Sequence, residues 1–173
     1  MDTDILLVGS SIVKKWKNIK EEFSDKKIVN IGENGKKTHE LLNDNYFNRI
    51  LRYNPEYIIY YCGSNDINKN IEKEVICENI KLFYNKIINI YKNKIKIIFI
   101  SLIKSPKKRL DNKLEEIDYI NNYIKKLCKN KRSMYVNINK ELNNIEYYKK
   151  DLNHLKYTGY NKINKKLSKY IYI

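Results

Sequence analysis

Five short apolar runs alternate with longer stretches in which apolar residues recur at helical spacing, and this alternation restricts the possible folds more than any other feature of the sequence. The runs are too short to be helices, so we predict strands at residues 4–8, 27–31, 57–62, 95–102 and 134–138. Strands that alternate with helices form a parallel sheet with helices on both faces, because the crossover connections are right-handed. The sequence therefore predicts a three-layer α/β/α sandwich.

The stretches between these strands predict five helices, at residues 11–23, 38–51, 71–91, 114–128 and 158–170. In the first helix Ile12, Trp16 and Ile19 share one face, which favours a core position for the tryptophan. Residues 104–109 contain a proline and four basic side chains, and we predict a loop there. The chain has 173 residues and no shift in composition, so we expect residues 1–173 to form a single domain.

Glycines and small polar residues follow several of the predicted strands. Gly-Ser-Ser at 9–11 follows the first strand, a glycine loop at 32–35 follows the second, and Gly-Ser-Asn-Asp at 63–66 follows the third. Asp151 and His154 lie in the loop after the fifth strand. The carboxyl ends of parallel strands meet at one edge of the sheet, where open α/β sheets bind their ligands. These segments are therefore predicted to line one crevice.

The side chains of this crevice have the chemistry of acyl transfer. A serine hydroxyl beside the N–H groups of a helix N-terminus can attack a carbonyl if a histidine accepts its proton. Asp151 precedes His154 by three residues, so its carboxylate can reach Nδ1 and leave Nε2 free for the serine. The Asn65 amide and the Gly35 N–H are groups that stabilise an oxyanion. The second histidine, His39, is expected on the solvent side of its helix.

These segments together resemble the sequence blocks of the SGNH or GDSL hydrolase family. GSSI at 9–12 resembles the first block and places the nucleophile at Ser11, with Trp16 at the spacing of an aromatic residue found in many members. NIGENG at 30–35 resembles the second block, with Gly35 at its oxyanion position. GSND at 63–66 resembles the third block, with Asn65 as the other oxyanion donor.

The fifth block completes the resemblance. DLNH at 151–154 supplies the family's aspartate and histidine, here Asp151 and His154, and a following Gly-Tyr at 159–160 is similar to the usual start of the last helix. Two positions depart from the family pattern: Ser10 replaces an aspartate beside the nucleophile, and Asn153 replaces a frequent glycine before the histidine. The first departure affects the support of the nucleophile turn, and the second affects the backbone angles of the histidine loop.

The resemblance implies a flavodoxin-like sheet with strand order 2-1-3-4-5 and ester hydrolysis without a metal or an organic cofactor. It implies an acyl-enzyme on Ser11, with His154 as base and an oxyanion held by the Ser11 N–H, the Gly35 N–H and the Asn65 side chain. The chain has no inserted segment that could form a lid, so we expect short, acetyl-type acyl groups. The sequence leaves two alternatives for the alcohol part of the substrate. One is a carbohydrate or surface polysaccharide, and the other is a lysophospholipid, acetyl-phospholipid or acyl thioester.

The formal charge of +15 indicates a second possible class of function. A catalytically weak or inactive module of this fold could use a basic surface to bind nucleic acid, an anionic membrane or a polysaccharide. The basic residues are scattered along the whole chain, and this distribution does not favour a basic surface that binds nucleic acid. Four of them follow the fourth strand at the same edge as the serine and are possible binding groups for an anionic substrate: Lys104, Lys107, Lys108 and Arg109.

The cysteines and the N-terminal stretch bear on the compartment. Cys62, Cys77 and Cys128 are odd in number and widely spaced, which indicates neither a disulfide framework nor a zinc site. The first apolar run is too short for a signal sequence or a membrane span. We therefore expect a cytoplasmic protein, and the sequence leaves its oligomeric state open.

Overall fold

The computed structural model describes residues 1–129 and 132–172. Its centre is one sheet of five parallel strands in the order β2-β1-β3-β4-β5, which confirms the expected strand order. The strands are β1 (Asp2–Gly9), β2 (Ile28–Asn30), β3 (Asn54–Tyr61), β4 (Lys96–Ile100) and β5 (Ser133–Val136).

Helices follow each of the five strands, as the alternation predicts. The α-helices are α1 (Ser11–Lys14), α2 (Ile19–Glu22), α3 (Asp44–Ile50), α4 (Ser64–Asn68), α5 (Lys73–Tyr91), α6 (Pro106–Leu110), α7 (Leu114–Leu127) and α8 (Tyr157–Ile171). Single turns of 3₁₀-helix lie at Thr38–Leu41, Lys92–Lys94 and Ile145–Tyr147.

Both faces of the sheet are covered. Tyr57 and Tyr60 stand three residues apart on β3, so their side chains point to opposite faces. The Tyr57 hydroxyl donates to the Ile171 carbonyl of α8, whereas the Tyr60 ring packs against Phe83 of α5 at 4.8 Å between centroids. Helices therefore lie on both sides, as in a three-layer α/β/α sandwich. The middle of β1 has apolar side chains on both faces, and these are fully buried.

The prediction of one continuous helix at residues 11–23 is wrong, because this segment forms two separate short helices, α1 and α2. Side chains from distant segments add hydrogen bonds to backbone carbonyl groups at the end of α1 and the start of α2. The Asn30 amide donates to the Val13 carbonyl at 2.7 Å, and the Asn164 amide donates to the Asn18 carbonyl at 3.1 Å. Trp16 lies between the two turns and is buried, as expected.

The second predicted helix is also divided, into the 3₁₀ turn at Thr38–Leu41 and α3. Asn43 adopts an extended backbone with φ −62° and ψ 141°, and its carbonyl accepts the first hydrogen bonds of α3 from Tyr46 and Phe47. The extended backbone at Asn43 therefore separates the 3₁₀ turn from α3, and the Asn43 side chain makes no capping hydrogen bond.

The predicted loop at 104–109 contains α6. Pro106 is the first residue of this helix, where its fixed φ suits the helix and its missing N–H is not needed. Ser105 caps the helix by accepting a hydrogen bond from the Lys108 N–H at 3.3 Å. The proline therefore begins a helix at a position where we predicted a loop.

Candidate active site

The turn after β1 places two serines at the carboxyl edge of the sheet. Gly9 has a φ of +151°, and a Cβ at this position would lie 2.0 Å from the Tyr61 carbonyl oxygen of β3, so a side chain is excluded there. The next residue, Ser10, is buried and donates its N–H to the same carbonyl at 3.1 Å. Ser11 is then the first residue of α1, and its hydroxyl faces the crevice.

His154 lies between the Ser11 hydroxyl and the Asp151 carboxylate. Its Nε2 is 3.1 Å from Ser11 Oγ, and its Nδ1 is 2.5 Å from Asp151 Oδ2. The carboxylate accepts the proton on Nδ1, so the lone pair of Nε2 points to the serine hydroxyl. The three residues, predicted from spacing and resemblance, are thus brought together in the order that proton transfer from serine to histidine requires.

Asp151 is held in its ionised form. Its other oxygen, Oδ1, accepts the backbone N–H groups of Asn153 at 3.0 Å and of His154 at 2.9 Å. Desolvation tends to raise the pKa of this carboxyl group, but the hydrogen bonds from the His154 ring and from the two N–H groups outweigh it and lower the pKa to about 2. The Asp151 side chain is 49% exposed and the His154 side chain 22%, so the pair is open to solvent on one side.

The backbone of the histidine loop adopts an unusual conformation at Leu152, where φ is +57°. A branched side chain rarely takes this conformation, so the surrounding contacts must hold it. The Leu152 carbonyl accepts the Lys107 N–H at 2.9 Å, and the Asn153 side chain accepts the Ser105 hydroxyl at 3.0 Å. The departure at Asn153 therefore adds a hydrogen bond from Ser105, the N-cap residue of α6, and the positive φ lies one residue earlier.

The two predicted oxyanion donors lie on neighbouring segments, Gly35 in a loop and Asn65 in the short helix α4. Gly35 is exposed, has a φ of +76°, and has open space where a Cβ would stand. Asn65 lies in α4, and its side-chain amide donates to the Lys36 carbonyl at 3.0 Å, which links α4 to the Gly35 loop. Gly32 begins this loop against α1, since a Cβ there would lie 2.6 Å from Val13. The loop is therefore fixed on both sides.

Asp66, the next residue after Asn65, has a structural role. It is fully buried and accepts the Thr38 hydroxyl at 2.6 Å and the Thr38 N–H at 3.0 Å. These bonds begin the 3₁₀ turn that follows the Gly35 loop. His39, in the same turn, is exposed, as expected.

The four basic residues at 104–109 have different surroundings. Lys104 pairs with Asp118 at 2.5 Å, and Lys107 pairs with Asp111. Lys108 is only 1% exposed, whereas Arg109 is exposed on the surface of α6. The four cations therefore do not form one solvated group.

The sequence does not reveal the supporting role of three residues, one of which, Lys108, it predicts only as a possible binding group. Ser105 holds the histidine loop, Lys108 donates to the Ser64 carbonyl beside Asn65 at 2.8 Å, and Asn30 holds the end of α1. The Ser-Pro pair at 105–106 carried a signal for a capped helix start. The burial of Lys108 has no local signal in a lysine-rich stretch.

Three further findings concern metals, thiols and membranes. Among residues 1–129 and 132–172, no three His, Cys, Asp or Glu side chains are close enough to hold a metal ion. Cys62, Cys77 and Cys128 are free thiols. None of the helices in the described ranges combines the length and apolar character needed to cross a bilayer.

The chain is similar in structure to several solved proteins. One is a Streptococcus pneumonia protein described as a platelet activating factor, with 24% identity, a TM-score of 0.85, and coverage of 99% of this chain and 85% of that chain. A second is an acylhydrolase from Bacteroides fragilis, with 18% identity, a TM-score of 0.82, and coverage of 98% and 86%. A third is a family 3 carbohydrate esterase from Clostridium thermocellum, with 16% identity, a TM-score of 0.78, and coverage of 98% and 95%. At these identities the likeness shows a shared fold.

The sequence itself decides the family. No curated protein matches it. The model of the GDSL-like lipase/acylhydrolase family, however, matches residues 9–162, which include the serine turn at one end and the histidine loop towards the other. The chain therefore belongs to the GDSL-like lipase/acylhydrolase family and is an ester-bond hydrolase.

Proposed function

We propose that this protein is a serine esterase that works through an acyl-enzyme on Ser11. The observation that carries the proposal is the continuous chain of contacts from Ser11 Oγ through the His154 ring to Asp151, with distances of 3.1 and 2.5 Å. His154 Nε2 takes the hydroxyl proton as Ser11 Oγ attacks the ester carbonyl. The imidazolium then gives this proton to the leaving alkoxide, and the acyl group stays on Ser11.

Hydrolysis of the acyl-enzyme repeats the same steps with water. His154 accepts a proton from a water molecule, whose oxygen attacks the acyl carbonyl, and returns the proton to Ser11 Oγ as the acid leaves. In both steps the negative charge on the carbonyl oxygen would be held by the Ser11 N–H, the Gly35 N–H and the Asn65 amide. The first N–H groups of a helix lack partners within the helix, so the Ser11 N–H at the start of α1 is suited to this role.

We propose short acyl groups, because the glycine loop packs tightly against the serine turn: a Cβ at Gly32 would lie 2.6 Å from Val13. For the alcohol, a carbohydrate and a lipid both stay candidates. The likeness to a carbohydrate esterase from Clostridium thermocellum favours a carbohydrate. The likeness to the Streptococcus pneumonia protein described as a platelet activating factor favours a lipid.

We also propose that the substrate carries an anionic group. A cavity of about 350 Å³ lies between α6 and the connection from β5 to α8, and Leu152 of the histidine loop lines it. Leu110 and Ile145 expose 69% and 59% of their surface beside it. Arg109 supplies an exposed positive charge, and Lys104, which pairs with Asp118, also lines the cavity. This combination suits an amphipathic anion next to the reacting ester.

The nucleophile is tested by substitution and labelling. Ser11→Ala should abolish both the hydrolysis of p-nitrophenyl acetate and labelling by an organophosphonate, because the attacking oxygen is removed. Ser10→Ala is the matched control and should still be labelled, since Ser10 is buried beneath the turn. Labelling of the Ser11→Ala protein at Ser10 would overturn the assignment.

The same assay separates the esterase from the alternative of a weak or inactive binding module. Such a module would leave p-nitrophenyl acetate unhydrolysed, or would hydrolyse it equally well after Ser11→Ala. Stoichiometric, Ser11-dependent labelling together with turnover would exclude it.

A further inference from the structure

Lys108 is a buried cation that the proposed mechanism does not use. Its side chain is 1% exposed, in a chain where most lysines reach solvent. The ammonium group donates to the Ser64 carbonyl at 2.8 Å and to the side-chain oxygen of Asn68. Because a lysine is almost never fully buried without partners, these two contacts must account for its position.

Both acceptors belong to the one-turn helix that carries Asn65. The Ser64 carbonyl is part of the same planar peptide group as the Asn65 N–H, so a hydrogen bond to this oxygen fixes the plane from which the Asn65 side chain projects. Asn68 is the last residue of the same helix, α4. The ammonium therefore holds both ends of α4 in place.

The segment that carries Lys108 also holds the histidine loop. The Lys107 N–H donates to the Leu152 carbonyl at 2.9 Å, and the Ser105 hydroxyl donates to the Asn153 side chain at 3.0 Å. We call Ser105 together with α6 the α6 brace. It contacts α4, which carries Asn65, on one side and the loop of Asp151 and His154 on the other.

We propose that Lys108 is a positioning residue for the oxyanion donor Asn65, and that the α6 brace keeps this donor at a fixed position relative to His154. The inference rests on the proposed function, because it assigns Asn65 to the oxyanion. A shift of about 1 Å in a group that must meet the transition state can cost about a hundredfold in rate. A charge-assisted hydrogen bond to the Ser64 carbonyl is a strong way to prevent such a shift.

The charge of Lys108 gives the proposal a measurable pH signature. Burial lowers the pKa of Lys108 to about 8, partly opposed by the carboxylates of Asp111 and Glu116 and assisted by the cations Lys107 and Lys113. Above this pH the ammonium loses its proton and holds the Ser64 carbonyl more weakly. Turnover should therefore fall as the pH rises through about 8.

The first test replaces the charge by an apolar side chain of similar length. In Lys108→Met we expect kcat for p-nitrophenyl acetate to fall about tenfold to a hundredfold with KM little changed, and the fall in kcat above pH 8 to disappear. Lys86→Met is the matched control, because Lys86 also donates to a backbone carbonyl, that of Leu42 at 3.5 Å, but lies away from the crevice. It should keep the wild-type kcat and pH profile.

The second test keeps Lys108 and changes its partner. Asn68 is exposed, so we expect the Asn68→Asp protein to fold. The new carboxylate should raise the pKa of Lys108, and the fall in kcat at high pH, the basic limb of the pH profile, should move to higher pH. A purely structural lysine would leave this limb where it is. The proposal is overturned if Lys108→Met keeps the wild-type kcat and pH profile, or if the limb does not move in Asn68→Asp. If instead the wild-type protein shows no Ser11-dependent turnover, the proposed function itself fails.

Discussion

Asp151 and Asp66 show how the same side chain serves two purposes at one edge of the sheet. Asp66 is fully buried, and its oxygens bind the Thr38 hydroxyl and N–H, so it shapes a turn. Asp151 is half exposed and presents one oxygen to the His154 ring. Their partners, and not their burial, decide which of the two can orient the histidine.

Replacement of Asp151 by Asn should leave the fold intact and lower kcat by about four orders of magnitude. The amide can donate to Nδ1, which favours the ring tautomer with its proton on Nε2, and this tautomer cannot accept the Ser11 proton. The measurement is steady-state hydrolysis of p-nitrophenyl acetate. Glu146→Gln, an exposed substitution in the same connection between β5 and α8, is the control and should keep the wild-type rate. Near wild-type activity of Asp151→Asn would show that another group orients His154.

Asp151 should also contribute to stability in a defined pH range. Its pKa is about 2 in the folded protein, against a usual value of 3.8, so its ionised form is favoured by folding. This contribution is complete above the unfolded pKa and is lost as the pH falls through about 2. Urea unfolding of wild type and Asp151→Asn at several pH values should give a stability difference that is constant near neutral pH and shrinks below pH 4. A difference that stays constant down to pH 2 would contradict the prediction.

At the scale of elements, two asparagine side chains organise the segment that carries Ser11. Asn30 holds the Val13 carbonyl, and Asn164 of α8 accepts the indole N–H of Trp16 at 2.8 Å while donating to the Asn18 carbonyl at 3.1 Å. Asn164 is 2% exposed, so these bonds lie in a region without competing water. They fix the two turns α1 and α2 against the last helix.

Asn164→Leu should therefore destabilise the protein by about 1–3 kcal/mol, since it leaves the Trp16 indole N–H buried without its acceptor and removes one of the two hydrogen bonds to the Asn18 carbonyl, which keeps the bond from the Glu21 N–H. Urea or thermal unfolding measures the change. Ser168→Ala, one turn further along α8, removes a side-chain hydrogen bond on the exposed side of the helix and should change stability by less than about 0.5 kcal/mol. Equal effects of the two substitutions would mean that the buried bonds contribute little.

These elements also show what can be predicted from the sequence. The apolar runs predict all five strands. In β1, β3 and β4 burial on both faces leaves a continuous apolar signal, whereas the edge strands β2 and β5 are partly exposed and give shorter runs. The residues of the crevice could be found because they follow these strands and resemble family blocks. The division of the first helix could not be predicted, since it depends on Asn30 and Asn164, which lie in distant segments. The buried position of Lys108 depends in the same way on the fold as a whole.

At the scale of the whole molecule, the first and last segments are packed together. Besides the contacts of Asn164, the Trp16 and Tyr160 rings stack at 5.9 Å, and the Tyr160 hydroxyl donates to the Ile12 carbonyl at 2.8 Å. We therefore propose that residues 1–173 form a single domain, which should unfold in one cooperative transition. Coincident unfolding curves from tryptophan fluorescence and far-UV circular dichroism would support this.

The net charge of +15 acts on the same scale, because it attracts anions to the whole surface. The proposal of an anionic substrate needs more than this: the charges beside the crevice must act more strongly than those elsewhere. Lys108 does not belong to these local charges, because its ammonium group is buried and donates a hydrogen bond to α4. The local group is therefore Lys104, Lys107 and Arg109.

A charge-matched pair of triple variants separates the local effect from the general one. The first variant changes Lys104, Lys107 and Arg109 to Gln, and the second changes the exposed residues Lys20, Lys165 and Lys169 to Gln, so both lose the same net charge. For an anionic ester with the same acyl group as a neutral one, the wild-type protein should show the higher kcat/KM at low salt. The advantage should shrink as the Debye length falls to about 8 Å near physiological ionic strength. It should be lost selectively in the first variant, because only charges near the crevice interact with the bound anion. If both variants lose it equally, the substrate senses only the overall charge, and if neither does, the residues at 104–109 take no part in substrate binding.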